Sequence, residues 1–175
     1  MQLFIRTIRG WILRTLGVWV YDRGFAVHTH YIIEDFDAKT GELVKRQEFE
    51  HNCLLNEGIT ELLTLACSTG ATKFDSGNAY TGVGDSDTPA AAAQTGLQGA
   101  NKAYKAMDAT YPQVANQTVT FRSTFAVGEA NFTWKEATIV NASTDAGKNL
   151  NRKVQAMGEK TAAVIRVITT AITIA

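Results

Sequence analysis

A succession of short apolar-polar stretches separated by turns constrains this chain more than any other feature. In TVTFRSTFAV, Val119, Phe121, Ser123 and Phe125 fall on one strand face, and Thr120, Arg122 and Thr124 fall on the other. Phe132 and Trp134 share a face within FTWKEATIVNA, and KAYKAMD and NRKVQAM read as further strands. The C-terminal run TAAVIRVITTAITIA is rich in Val, Ile and Thr with little charge, which predicts a central strand buried on both faces. Nearer the N-terminus, VHTHYIIEDF and LVKRQEFEH form a predicted hairpin with Lys39-Thr40-Gly41 at its turn. Strands of this length, spaced by turns, predict a mainly β fold: an antiparallel β-sandwich or a small barrel.

Two segments break the β pattern. NCLLNEGITELLTLAC predicts a short internal helix over about 56–66, capped by Asn56, with Glu57 in its first turn. Ile59, Leu62, Leu63 and Ala66 form its apolar face. After a short strand at Tyr80–Val83, Gly82, Gly84, Asp85, Ser86, Asp87, Pro89 and a run of alanines predict a long irregular loop over about 84–101. Loops longer than about 12–15 residues in compact domains are functional or disordered, so Asp85, Asp87, Pro89 and Leu97 become candidate partner-binding residues.

Residues 1–24 read as a separate arm before a single β-rich domain over 25–175. Phe4, Ile5, Ile8, Trp11, Ile12, Leu16 and Trp19 recur at three- and four-residue spacings, the pattern of an amphipathic helix. A β reading competes, since Ile, Thr, Val and Trp are abundant there. Arg14 interrupts the apolar run and no small-residue cleavage site follows, so a secretory signal is not expected. The run is also shorter than the ~20 residues of a membrane-spanning helix. The arm holds Arg6, Arg9, Arg14 and Arg23 against Asp22 alone, whereas residues 34–61 hold eight acids against three bases. Phe4, Ile8, Trp11, Arg14 and Trp19 are therefore candidate contacts to a partner surface, either the chain's own domain or a neighbour.

No residue constellation for catalysis emerges from the sequence. Gly82-Val83-Gly84-Asp85 lacks the third glycine of a dinucleotide loop, and no Gly-Lys-Ser/Thr follows it. Asp85 and Asp87 lack the further ligands of a calcium loop and are read as turn-capping residues. His28 and His30 share a strand face, but no Cys, Asp or Glu cluster accompanies them. Glu34, Asp35 and Asp37 read as an exposed acidic edge, and neither Cys53 nor Cys67 has a base partner. With only two cysteines, reduced thiols are expected, as in a cytoplasm. Seventeen basic residues balance seventeen acidic ones, which disfavours a nucleic-acid-coating role. The expectation is a chain without enzymatic activity, metal or cofactor.

Three stretches together resemble a family of small structural proteins of tailed-bacteriophage and prophage virions. They are FDAKTGELVKRQEFEHNCLLNEGITELLTLA, AYTGVGDSDTPAAAAQTGLQG, and FRSTFAVGEANFTWKEATIVNA followed by LNRKV and the Thr/Ile-rich C-terminal strand. The likeness covers roughly residues 31–175 and leaves the arm outside. It implies a β-rich body that contacts other phage capsid or tail proteins in the virion, after assembly in the host cytoplasm. A capsid decoration or cement protein is the first expectation, with a tail, collar or fibre-attachment component as the alternative. A homo-oligomer, such as a trimer, would suit a site of local threefold symmetry. Outside this class, the alternative is a glycan-binding β-sandwich module.

Overall fold

A computed structural model describes residues 26–175. The predicted arm, with Phe4, Ile8, Trp11, Arg14 and Trp19, lies outside the described residues. In chain order the elements are β1 (Val27–Asp37), β2 (Leu43–Glu50), β3 (Cys53–Leu54), α1 (Asn56–Cys67) and β4 (Tyr80–Gly84). They continue with β5 (Lys102–Ala106), β6 (Gln113–Ala115), β7 (Thr118–Phe125), β8 (Thr133–Val140), β9 (Asn151–Glu159) and β10 (Val164–Ile174). Two five-stranded antiparallel sheets, β2-β1-β10-β7-β6 and β3-β9-β8-β4-β5, face one another as a sandwich.

The period-two reading of β7 holds: Phe121, Ser123 and Phe125 are buried, and Thr120, Arg122 and Thr124 alternate outward. Tyr31, Ile33, Phe125 and Ile168 from the first sheet meet Val83, Trp134, Ala137 and Met157 from the second. Phe121 and Ile172 meet Ala79, Ile139 and Leu150 in a second cluster. Trp134 is fully buried, lies edge-on to Phe125 at 4.8 Å between centroids, and donates its indole N–H to Ala130 O. Polar ties cross the same interface. Thr81 and Ser123 hydroxyls meet at 2.9 Å, and Asn151 donates to the Tyr31 hydroxyl at 2.8 Å. Burial pushes the Tyr31 phenol well above its ordinary range.

Three expectations need correction. The strand β10 is central, and its inner residues Arg166, Ile168, Thr170 and Ile172 are buried; on the outer face Val167 is buried too, but Ile165, Thr169, Ala171 and Thr173 are half-buried, because no described layer covers most of that sheet face. Asp35 is not on an exposed edge. It accepts from Arg166 Nε at 2.6 Å and Nη2 at 2.7 Å in the interior, with the guanidinium 4.8 Å above the Trp134 ring. A charge buried this deeply persists because a bidentate partner meets it. Asn56 does not cap α1; Leu55 occupies the cap position without a side-chain bond, and Asn56 N donates instead to Ala92 O at 2.8 Å.

The structure also fixes which side of α1 is covered. The helix packs through Gly58, its two glutamates and the half-buried Leu65 rather than through Leu62 and Leu63. A Cβ at Gly58 would overlap the backbone of Leu150, so only glycine permits this approach. Glu57 accepts from Asn149 N at 2.9 Å, and Glu61 accepts from Asn141 Nδ2 at 3.0 Å and Thr72 N at 2.8 Å. Gly58→Ala would stabilise an isolated helix by ~1 kcal/mol. Here it is expected to destabilise by about 1–3 kcal/mol, the usual cost of overpacking. Urea unfolding checks the sign: a midpoint that rises would contradict the contact.

Candidate interaction surface

The irregular segment 85–101 is ordered on its own domain. β4 carries Gly82 and Gly84 on the face it turns toward this segment, beside Glu136 and Thr138 of β8. The Glu136 carboxylate occupies the space that a Cβ at Gly84 would need. With both side chains fully buried, Arg152 Nε donates to Glu136 Oε2 at 2.7 Å. Arg122, the other arginine near this part of the fold in sequence, points outward, 3.6 Å from Asp108.

The segment closes over this pair. Gln98 N and Gly99 N donate to Glu136 at 3.1 and 2.6 Å, and Arg152 Nη1 donates to Thr88 O at 2.9 Å and Gln94 Oε1 at 3.0 Å. Leu97 is 2% exposed, so it anchors the loop in the interior and is not available to a partner. Asp85 and Asp87 are not simple turn caps. Asp85 accepts from Asn101 Nδ2 at 2.6 Å across the loop base, and Asp87 pairs with Lys135 at 2.9 Å. Asp87 and Pro89 are exposed at the surface. Ala92 O satisfies the first N–H of α1, so the loop joins the helix to the second sheet.

Electrostatics reinforce the clamp. The Asn101 side-chain hydrogen bond holds the Asp85 carboxyl below the usual aspartate range, and Lys135 does the same for Asp87. At Asp145, burial pushes upward but is outweighed by hydrogen bonds from Lys102 and the Tyr104 hydroxyl, leaving the carboxyl lowered. A carboxyl lowered in the fold binds fewer protons there than in the unfolded chain. Its stabilisation is therefore present above the unfolded value and is lost as pH falls through the folded one. Amide exchange at Gln98–Asn101, corrected for intrinsic pH dependence, is expected to accelerate below about pH 4 while β7 and β10 stay protected. Uniform acceleration across the sandwich would contradict a local clamp.

Because the loop and Gly58 hold the polar side of α1 inward, its apolar side faces out. Ile59, Leu62 and Leu63 are 39, 40 and 61% exposed, and Ala66 continues the stripe one turn on. Leu43 and Val44 on edge strand β2 and Val114 on edge strand β6 are also exposed. An open groove of about 470 Å³ near β6 is lined by Phe74, Tyr111, Pro112 and Val114, with Lys73 and Asp75 beside them. Arg122 lies over the Tyr111 ring at 5.9 Å.

The remaining candidates lie elsewhere. His28 and His30 do share the outward face of β1, where His30 meets Glu48 at 3.0 Å. Among the described residues no group of three or more His, Cys, Asp or Glu is arranged to hold a metal ion. Cys53 and Cys67 are free thiols, and no described helix is long and apolar enough to cross a membrane. Sequence reading identified the stripe residues of α1 as its apolar face without fixing which side the domain covers. The signal that fixes the side is Gly58 between Glu57 and Glu61, a small and polar face suited to close docking. Comparison with family models, curated proteins and solved structures finds no significant match for this chain.

Proposed function

We propose that this chain is a non-enzymatic structural subunit of a tailed-bacteriophage particle, decorating the capsid and joining neighbouring shell proteins. The observation that carries this reading is the outward apolar stripe of α1, Ile59-Leu62-Leu63-Ala66, fixed in place by a polar clamp on its other side. Contiguous exposed apolar side chains on a folded domain mark protein contacts. The groups with the greatest chemical potential, Glu136 and Arg152, are committed to holding the loop. The likeness of three stretches to virion proteins supplies the setting. In it the arm over residues 1–24 engages a neighbour, and copies associate as a closed oligomer such as a trimer.

Deletion of residues 1–24 tests this reading in infected cells. The expected result is a sandwich with unchanged far-ultraviolet circular dichroism that no longer enters purified particles. Particles carrying the truncated chain at the full-length level would refute a docking arm. A glycan-binding module is the second reading, favoured by the Phe74-Tyr111-Pro112 groove with its flanking Lys73 and Asp75. Glycan-array binding abolished by Tyr111→Ala, together with absence from particles, would establish it instead.

A further inference from the structure

The exposed face of α1 has an occupant of matching chemistry within the chain's own sequence. We propose that residues 2–19 dock on the Ile59-Leu62-Leu63-Ala66 stripe. This deepens the structural reading above by naming the segment that covers the face.

Three observations carry the assignment. The first is shape. In sequence, Phe4, Ile8, Trp11, Leu16 and Trp19 recur at helical spacing, as do the four stripe residues of α1. Two amphipathic helices that each leave an apolar stripe bare bury both by pairing.

The second is charge. α1 contains no Lys or Arg, and among the described residues no cation pairs with Glu57 or Glu61. Among the described residues their carboxylates accept from the neutral amides of Asn149, Asn141 and Thr72. Residues 1–24 bring Arg6, Arg9, Arg14 and Arg23 against Asp22. Glu57 and Glu61 lie on the inward side of α1, opposite the stripe, so they draw the basic arm toward the helix through its net negative field and not through direct ion pairs.

The third is reach. The described chain starts at Ala26, which is bonded to Ala175. Three residues later Thr29 O accepts from His51 N at 2.9 Å, and α1 begins five residues beyond His51. The root of the arm therefore lies within roughly 30 Å of α1 along extended chain. A helix over residues 2–19 would itself be about 27 Å long.

The test uses the full-length chain. A photoactivatable benzophenone amino acid replacing Leu63 is expected to crosslink to peptides within residues 2–19. Crosslinks to α1 of another copy, or to strands alone, would overturn the assignment. Leu62→Lys/Leu63→Lys alters only exposed positions and should leave the melting temperature within about 2 °C, while amide exchange over residues 2–19 rises at least about tenfold. Exchange unchanged from the parent chain would also overturn it. Crosslinking a mixture of isotopically heavy and light protein separates this inference from the functional reading. Heavy-light pairs mean that the arm passes between copies, supporting both. Pairs within one label mean that it folds back on its own domain, which preserves the docking and removes the arm as a bridge to neighbours.

Discussion

Glu136→Leu is expected to destabilise the domain by about 3–5 kcal/mol, the usual consequence of removing one partner from a buried ion pair. The loss has two sources. Arg152 is left charged and fully buried, and Gln98 N and Gly99 N lose their acceptor. The Gly99 amide, left buried without a partner, costs about 1–3 kcal/mol. Many buried ion pairs can be replaced by apolar side chains with little loss. Here Glu136→Leu/Arg152→Leu should recover only part of the stability, because Thr88 O and Gln94 Oε1 also lose the Arg152 donor. Urea unfolding of the two single variants and the double variant gives the coupling. A double variant as stable as the parent would mean that the pair does not hold the loop. Gln98–Asn101 should also lose amide protection in Glu136→Leu before the sheets unfold, since the carboxylate is their shared acceptor.

Trp134→Ala is expected to cost about 3–5 kcal/mol, in the range of large aromatic truncations in cores. The indole fills the space between the sheets beside Phe125, and its N–H is satisfied by Ala130 O. It also lies 4.8 Å beneath the Arg166 guanidinium, so the truncation uncovers the second buried ion pair, Asp35–Arg166. Trp134→Phe retains most of the apolar volume and should cost less. Val114→Ser, at a side chain 77% exposed, should stay within about 0.5 kcal/mol of the parent. If Trp134→Ala and Val114→Ser shifted the unfolding midpoint equally, the two-cluster core would be wrongly placed.

The sheets were legible because alternation is a local signal. Val119, Phe121, Ser123 and Phe125 declare a shared face through spacing alone, and β7 presents them that way. The hairpin turn was equally legible: Gly41 takes a positive φ of 73°, and Asp37 accepts from Lys39 N and Thr40 N. Facing partners over long sequence separations were not. Asp35 meets Arg166 across 131 residues, and nothing near either residue announces the other. The same limit hid the clamp on segment 85–101, whose glycines and alanines suggest freedom. Gly96 and Gly99 instead let the backbone approach Asp145, Asp85 and Glu136 closely. For α1, periodicity located the apolar stripe but carries no information about which side the domain covers. Gly58, whose bare Cα meets Leu150, decides that question.

The proposed function rests on this helix. The second sheet and the 85–101 loop act together as a rigid mount that turns Ile59, Leu62 and Leu63 toward solvent. Exposing these side chains is unfavourable for an isolated domain, at about 25 cal/mol for each Å² of apolar surface left in water. That cost is recovered when a partner covers them. Under the proposed virion role, a lattice of repeated neighbours or an arm from an adjacent copy would provide such cover.

Absolute quantification of this chain in purified phage particles tests the structural reading most directly. A capsid decoration protein predicts hundreds of copies per particle. About a dozen copies would place the chain in the tail or collar, and none would contradict a virion role altogether.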